Sequence, residues 1–310
     1  MIELKNVTKK YGKHIAVDNI SFKIEKGEIV GFLGRNGAGK TTTMNLITGL
    51  LKPTEGEIYI DSEPLSKKSR KKIGYMLEST PLYDELTVKE FIDYMCDLKK
   101  LKREERKSEV ERLLKDLNLI DVKNKLIRNI SRGYKQRTSL AGALVGNPEI
   151  LILDEPTVGL DPKQIIEIRN LIKSLRKKHT ILLSSHILSE ISQMCQNVII
   201  IDNGKILAID TPENLESRMN QNSIIVIVED PENNMEKIKE KIDGIEKIKF
   251  NKDVDSKTKE YEIFVKKESD IRKDLFKELP KENITLLELK SSEVKLEEVF
   301  MNLIDEKEEK

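Results

Sequence analysis

Three short stretches carry side chains whose types and spacing suit chemistry on a phosphate. The first is Gly34-Arg35-Asn36-Gly37-Ala38-Gly39-Lys40-Thr41-Thr42. It follows a short apolar run (Ile29, Val30, Phe32, Leu33) and opens a segment with helical apolar spacing (Met44, Leu46, Ile47, Leu50). Strand, glycine-rich turn and helix in that order make a phosphate-binding loop. Glycines at 34, 37 and 39 let backbone N–H groups close on an anion, and the helix points its positive end at the same place. Lys40 can reach the β- and γ-phosphates of a nucleotide, and the Thr41 hydroxyl can hold Mg²⁺. A chance glycine-rich turn can share the eight-residue pattern; the flanking strand and helix favour the phosphate reading.

The second stretch is the apolar run Glu149 to Leu153, of the kind buried on both faces of a parallel sheet, ending in Asp154-Glu155. An acidic pair at the C-terminal end of a buried strand is costly unless a cation or a proton-accepting role compensates it. Asp154 is suited to bind Mg²⁺ through the metal's water shell, and Glu155 to orient and deprotonate a water for attack on the γ-phosphate. A surface turn acid beside Pro156 is the plainer alternative. In the third stretch, the strand Thr180 to Leu183 ends at Ser184-Ser185-His186. A lone histidine there is usually a packing or hydrogen-bonding residue, but a strand neighbouring that of Asp154 would bring His186 to the same site.

The elements that must position these groups read as an α/β fold. Residues 2 to 8 and 15 to 24 alternate apolar and polar side chains, as a half-buried antiparallel pair does. Tyr11, between them, suits hairpin packing as well as any ligand contact. Glu57 to Ile60 forms a further strand, and Thr87 to about Leu117 reads as helical, opened by a Thr87/Glu90 capping box. Ile130-Ser131-Arg132-Gly133-Tyr134-Lys135-Gln136 leads into a helix ending near Val145. Val198 to Asp202 and Lys205 to Ile209, joined by Asn203-Gly204, make a hairpin. The basic run Lys67 to Lys72 reads as a solvated loop.

The 310 residues suit one large domain plus a smaller one. Charged residues make up 35% but nearly cancel, for a net charge of +1, which gives no electrostatic case for nucleic acid as a partner. No apolar run approaches the ~18 residues needed to cross a bilayer, and no signal-peptide pattern is present, so a soluble, cytoplasmic chain is expected. Cys96 and Cys195 lie in apolar, helix-like patterns without metal-type spacing and are expected as reduced core thiols.

With these residues in hand, positions 1 to 215 resemble the ATP-binding cassette of ABC transporters, the motifs arriving in the family's order. The resemblance implies ATP hydrolysis, with Mg²⁺, at the interface of a head-to-tail dimer of two copies. Gly34 to Thr42 matches the Walker A loop, while Ser131 and Gly133 match the signature loop that completes the site from the other copy. Asp154 matches the magnesium carboxylate, Glu155 the general base, Asp161 the D-loop, His186 the switch residue and Tyr11 the aromatic that stacks on adenine. Two departures stand out: Arg132 replaces the first glycine of Leu-Ser-Gly-Gly-Gln, and Glu78 stands where the family has a glutamine that senses Mg²⁺ and the permease. A carboxylate can also ligate Mg²⁺. Ile-Gly-Tyr-x-x-Glu resembles the single-cassette ATPases of the ABC-2 export type. These imply a separate polytopic membrane permease as partner, docked near Glu78 and the helical region (about 80–145), and a location on the cytoplasmic face of the membrane. A non-transport ATPase of the same class, acting on DNA or ribosomes, is the alternative; the coiled-coil insertions, zinc modules or tandem cassettes usual in such proteins do not occur in this sequence.

Past Pro212 the composition turns lysine- and glutamate-rich. Ser223 to Leu289 reads β-α-β-β-α-β, a ferredoxin-like order, and Val294 to Ile304 adds an amphipathic helix. This second domain (222–304) carries no catalytic constellation and is expected to regulate or to stabilise the dimer, a ligand-binding domain being the alternative; residues 305–310 are expected to fray.

Overall fold

The computed structural model describes residues 1–79, 81–219, 222–230, 234–266 and 270–291. The alternating N-terminal segments form β1 (Ile2–Tyr11) and β2 (His14–Ile24), antiparallel, with Leu4 opposite Phe22 and Tyr11 opposite His14. The buried run that follows is β3 (Ile29–Leu33), and the phosphate loop connects it to α1 (Lys40–Ile47). Next come β4 (Glu55–Ile60) and the short β5 (Glu63–Pro64), which complete an antiparallel sheet in the order β2-β1-β4-β5.

A second sheet is built from β3, β6 (Ile73–Met76), β7 (Ile150–Leu153), β8 (Thr180–Ser185), β9 (Asn197–Asp202) and β10 (Lys205–Asp210). Its order is β10-β9-β3-β8-β7-β6, parallel except for β10. Every residue of β3, β7 and β8 is buried, which is why β3 and β7 are continuously apolar and β8 is apolar from Ile181 to Leu183. Met44, Leu46 and Ile47 of α1 join one core with Leu4, Phe22 and Ile24 of the first sheet and Phe32, Ile152 and Leu182 of the second.

Between β6 and β7 lie α2 (Val88–Leu98), α3 (Arg103–Asp116) and α4 (Arg132–Leu144). The capping box at Thr87 and Glu90 is formed. The helical stretch expected from Thr87 to Leu117 is two helices: Lys100 turns left-handed (φ 59°) and the Leu101 amide closes on the Cys96 carbonyl, ending the first. After β7 come α5 (Pro162–Leu175) and, after β8, α6 (Leu188–Ser192). Both cysteines are free and buried, and burial pushes both thiols up, that of Cys96 to about 11.

The chain divides into two units at Pro212/Glu213, where α7 (Pro212–Met219) begins. The second unit contains β11 (Asn222–Glu229), α8 (Met235–Lys241), β12 (Ile245–Asp253), β13 (Thr258–Val265), α9 (Arg272–Glu278) and β14 (Thr285–Ser291). Its sheet is antiparallel in the order β12-β13-β11-β14, a ferredoxin-like arrangement, over a core that includes Val226, Ile238, Ile263 and Leu275. The helix expected at 294–304 and the end at 305–310 lie outside the described residues. Among the described residues no helix is long and apolar enough to cross a membrane.

Candidate active site

Strand order explains why residues far apart in sequence meet. Four neighbours in the sheet, β3, β8, β7 and β6, are parallel, with Leu33 opposite Ser185, Leu183 opposite Leu153, and Leu153 opposite Met76. The next residues along these strands are Gly34, His186, Asp154-Glu155 and, one further on, Glu78. They therefore emerge side by side at the carboxyl edge of the sheet, the usual ligand position in α/β folds.

The phosphate loop is shaped by its glycines. Gly39 caps α1 at φ 106°, and a Cβ there would lie 2.6 Å from the Ala16 carbonyl oxygen; Gly37 adopts φ 84°. Lys40 folds back over the loop and donates to the carbonyls of Gly34 (2.7 Å) and Arg35 (3.3 Å). Its ammonium also faces Glu155 Oε1 at 3.3 Å, and both side chains are buried. The other Glu155 oxygen, Oε2, is 2.9 Å from His186 Nδ1, whose ring is partly open to solvent. Glu155 thus sits between a fixed cation and a ring that can donate or accept a proton.

Glu155 has left-handed backbone (φ 47°), a conformation that costs a non-glycine residue about 1 kcal/mol or more. A serine that sequence reasoning passed over supports it: Ser184 Oγ accepts from the Glu155 amide (2.8 Å) and donates to Asp154 Oδ1 (2.6 Å). A polar Ser-Ser pair closing the apolar run Ile181 to Leu183 was the signal available in the sequence. Asp154 is 1% exposed and its Oδ2 has no hydrogen-bond partner among the described residues. An unpartnered buried carboxylate oxygen is expensive, and it suits a cation. Tyr75, beside it on β6, donates to Asn45 Oδ1 (3.1 Å); burial and the Asp154 charge push its phenol well above the usual range.

Lys40, Glu155 and His186 border a cleft of about 620 Å³ lined also by Tyr11, Arg35, Asn36, Gly37, Gly39, Thr41, Thr42 and Glu78; Asp154 is not among its lining residues. His14, Ala16 and Val158 line it too and were not expected from the sequence. Gly34 and the buried Ala38 support the loop from behind, Ala38 accepting from the Gly204 amide (3.0 Å). Tyr11 stands 47% exposed at the mouth, with the Lys9 ammonium 5.3 Å from its ring centre.

Ser131, Gly133 and Asp161 are not in this cleft. They line a separate polar cavity of about 750 Å³. Ser131 caps α4 by accepting from the Tyr134 amide, and Asp161 caps α5 by accepting from the Gln164 amide (2.9 Å). One chain therefore presents a loop-and-carboxylate half and a hydroxyl-and-helix-terminus half at different places.

A phosphate-cradling loop after β3, an acid pair at the end of β7 and a histidine beside the second acid define a P-loop ATPase of the cassette class. Comparison with known proteins narrows this. The family described as ABC transporter matches residues 17–158. The bacitracin transport ATP-binding protein BcrA of Bacillus licheniformis is 40% identical over 243 residues, 74% of this chain and 78% of that protein. The linearmycin resistance ATP-binding protein LnrL of Bacillus subtilis (strain 168) is 32% identical over 98% of both chains. Among solved structures, cbiO1 from Clostridium perfringens, part of the ABC transporter complex cbiONQ, superposes with TM-score 0.65 at 30% identity, over 70% of this chain and 90% of that one. The cassette MJ0796, as a post-hydrolysis dimer bound to ADP and Pi, gives TM-score 0.61 at 31% identity, over 68% and 98%. The chain belongs to the ATP-binding proteins of ABC transporters, and its activity is ATP hydrolysis coupled to transport.

Proposed function

We propose that two copies of this chain close head to tail around two ATP·Mg²⁺ and drive a separate membrane permease, for export, from the cytoplasmic face of the membrane. The observation that carries the reading is the split between the two half-sites: Lys40, Glu155 and His186 border one cleft while Ser131 and Gly133 line another cavity. A hydroxyl and helix amides away from the chain's own phosphate loop suit a phosphate held by a second copy. That the similar cassette MJ0796 forms a dimer supports this, and the bacitracin, lantibiotic and linearmycin names among the relatives support export.

In this reading Gly34 to Thr42 wraps the phosphates, Lys40 exchanges its carbonyl partners for phosphate oxygens, and Tyr11 stacks on the base. Lys40 thereby moves off Glu155, freeing that carboxylate to take a proton from an attacking water. His186, held by Glu155 Oε2, orients the carboxylate and meets the γ-phosphate. Thr41, Asp154 and Glu78 would hold Mg²⁺, which when bound neutralises charge developing on the phosphates; the unpartnered Asp154 Oδ2 fits that role. Asp161 reports across the interface. The ferredoxin-like unit regulates or stabilises the dimer.

The test for the partner is a tagged pull-down from detergent-solubilised membranes of the native cell. Stoichiometric recovery of a polytopic membrane protein is expected; recovery only from the soluble fraction, with ribosomes, DNA or no partner, would overturn the permease reading.

A further inference from the structure

Arg132 stands where the family's signature carries glycine. The structure shows what it touches. The first turns of α4 are tied at several points to the segment that leads away from Glu155. Gln136 Nε2 donates to the Pro156 carbonyl (2.8 Å), Arg137 pairs with Glu167, and Gly133 packs so closely on Gln164 that a Cβ there would lie 2.8 Å from its Oε1. Arg132 adds a contact of a different kind. Its guanidinium, Cζ and both Nη atoms, fills the space that a Cβ on Gly159 would need. Gly159 has φ 70° and lies between Glu155 and Asp161 in the chain. A planar, weakly hydrated guanidinium is suited to lying against bare backbone, whereas a lysine ammonium is not.

We infer that Arg132 is a positioning residue. It latches the signature turn to the Gly159–Asp161 loop within one subunit, so that the half-site offered to a second copy moves with the loop leading from the chain's own Glu155. With glycine at 132 the contact with Gly159 would be lost, leaving those of Gly133, Gln136 and Arg137 with Gln164, Pro156 and Glu167. The Arg132 latch therefore couples the state of one ATP site to the completion of the other. A contact between elements that move together is one physical route for such coupling. The inference rests on the dimer reading above.

The experiment compares steady-state ATP hydrolysis by the full chain with Arg132→Gly and Arg132→Lys, each over a range of ATP concentrations, alongside ATP-dependent dimerisation of Glu155→Gln. Arg132 is exposed, and lysine preserves helix propensity at the first position of α4. The parent is expected to depend sigmoidally on ATP, and both Arg132 variants to lose that dependence and about threefold to thirtyfold in kcat, with KM within about twofold of the parent. Arg132→Lys behaving as the parent would show that charge rather than the planar contact matters, and would overturn the latch. So would unchanged kcat in both variants, or a rise in KM alone. If Glu155→Gln stays monomeric with ATP, the dimer reading falls and the latch with it; if it dimerises and the Arg132 variants turn over normally, only the latch falls.

Discussion

Lys40 and Glu155 form a buried ion pair, Nζ to Oε1 3.3 Å, that closes the phosphate loop after β3 onto the end of β7, across the intervening β8. In the proposed mechanism a phosphate in the loop draws the lysine away and releases the carboxylate. Removing the ammonium should therefore act on binding first. Lys40→Ala is expected to weaken ATP affinity about tenfold to a hundredfold, the worth of a lost charge-assisted hydrogen bond. Isothermal titration with ATP·Mg²⁺ checks this, and unchanged affinity would contradict the role given to Lys40.

Ser184 holds both acids through one hydroxyl, accepting from the Glu155 amide and donating to Asp154. Ser184→Ala leaves two buried polar groups short of a partner and is expected to lower stability by about 2 kcal/mol. It also releases the left-handed backbone at Glu155, so kcat should fall more than KM rises. Denaturant melts and steady-state kinetics on the same preparation separate the two effects.

Glu190 and Thr157 form a hydrogen-bonded pair, both buried, linking α6 to the turn after Glu155. Glu190→Gln keeps the shape and the bond but removes the buried charge; Glu190→Ala leaves the Thr157 hydroxyl unpaired. Alanine is expected to cost about 1–3 kcal/mol and glutamine less. Thermal melting of the two variants decides it, and equal losses would show that charge rather than the bond matters.

His179 supplies a pH dependence unrelated to catalysis. It is buried, its Nδ1 lies 2.6 Å from the Pro148 carbonyl and so carries the proton, and burial holds its pKa below the ordinary value near 6.5. The unfolded chain then binds a proton more readily than the folded one. Stability should fall as pH drops below about 6.5, until the folded state also protonates. The slope of melting temperature against pH between about pH 5 and 7 should flatten in His179→Gln, and an unchanged slope would remove His179 as its source.

Much of this site was legible in the sequence because its chemistry is local. Glycine spacing before Lys40, an acid pair closing an apolar run, and His186 after a second run each identify a strand end, and parallel strands put their ends together. Ser184, Arg132 and Glu190 were not legible in that way. Ser184 acts across the β7–β8 register, Arg132 through a contact with a glycine in another loop, and Glu190 through a partner 33 residues away. Sequence periodicity does not report such pairings. The break at Lys100 was missed for a related reason: apolar spacing on both sides stays helical, and the left-handed turn there carries neither glycine nor proline.

The most direct test of a composite two-copy site is to trap it. With ATP and Mg²⁺, Glu155→Gln should lose about a hundredfold to ten-thousandfold in turnover, as expected when a general base is removed. It should also run as a dimer by light scattering, returning to a monomer when Ser131 is changed to Arg in the same chain. Near-normal hydrolysis by Glu155→Gln would remove Glu155 as the base, and a protein that stays monomeric with ATP would contradict the shared site.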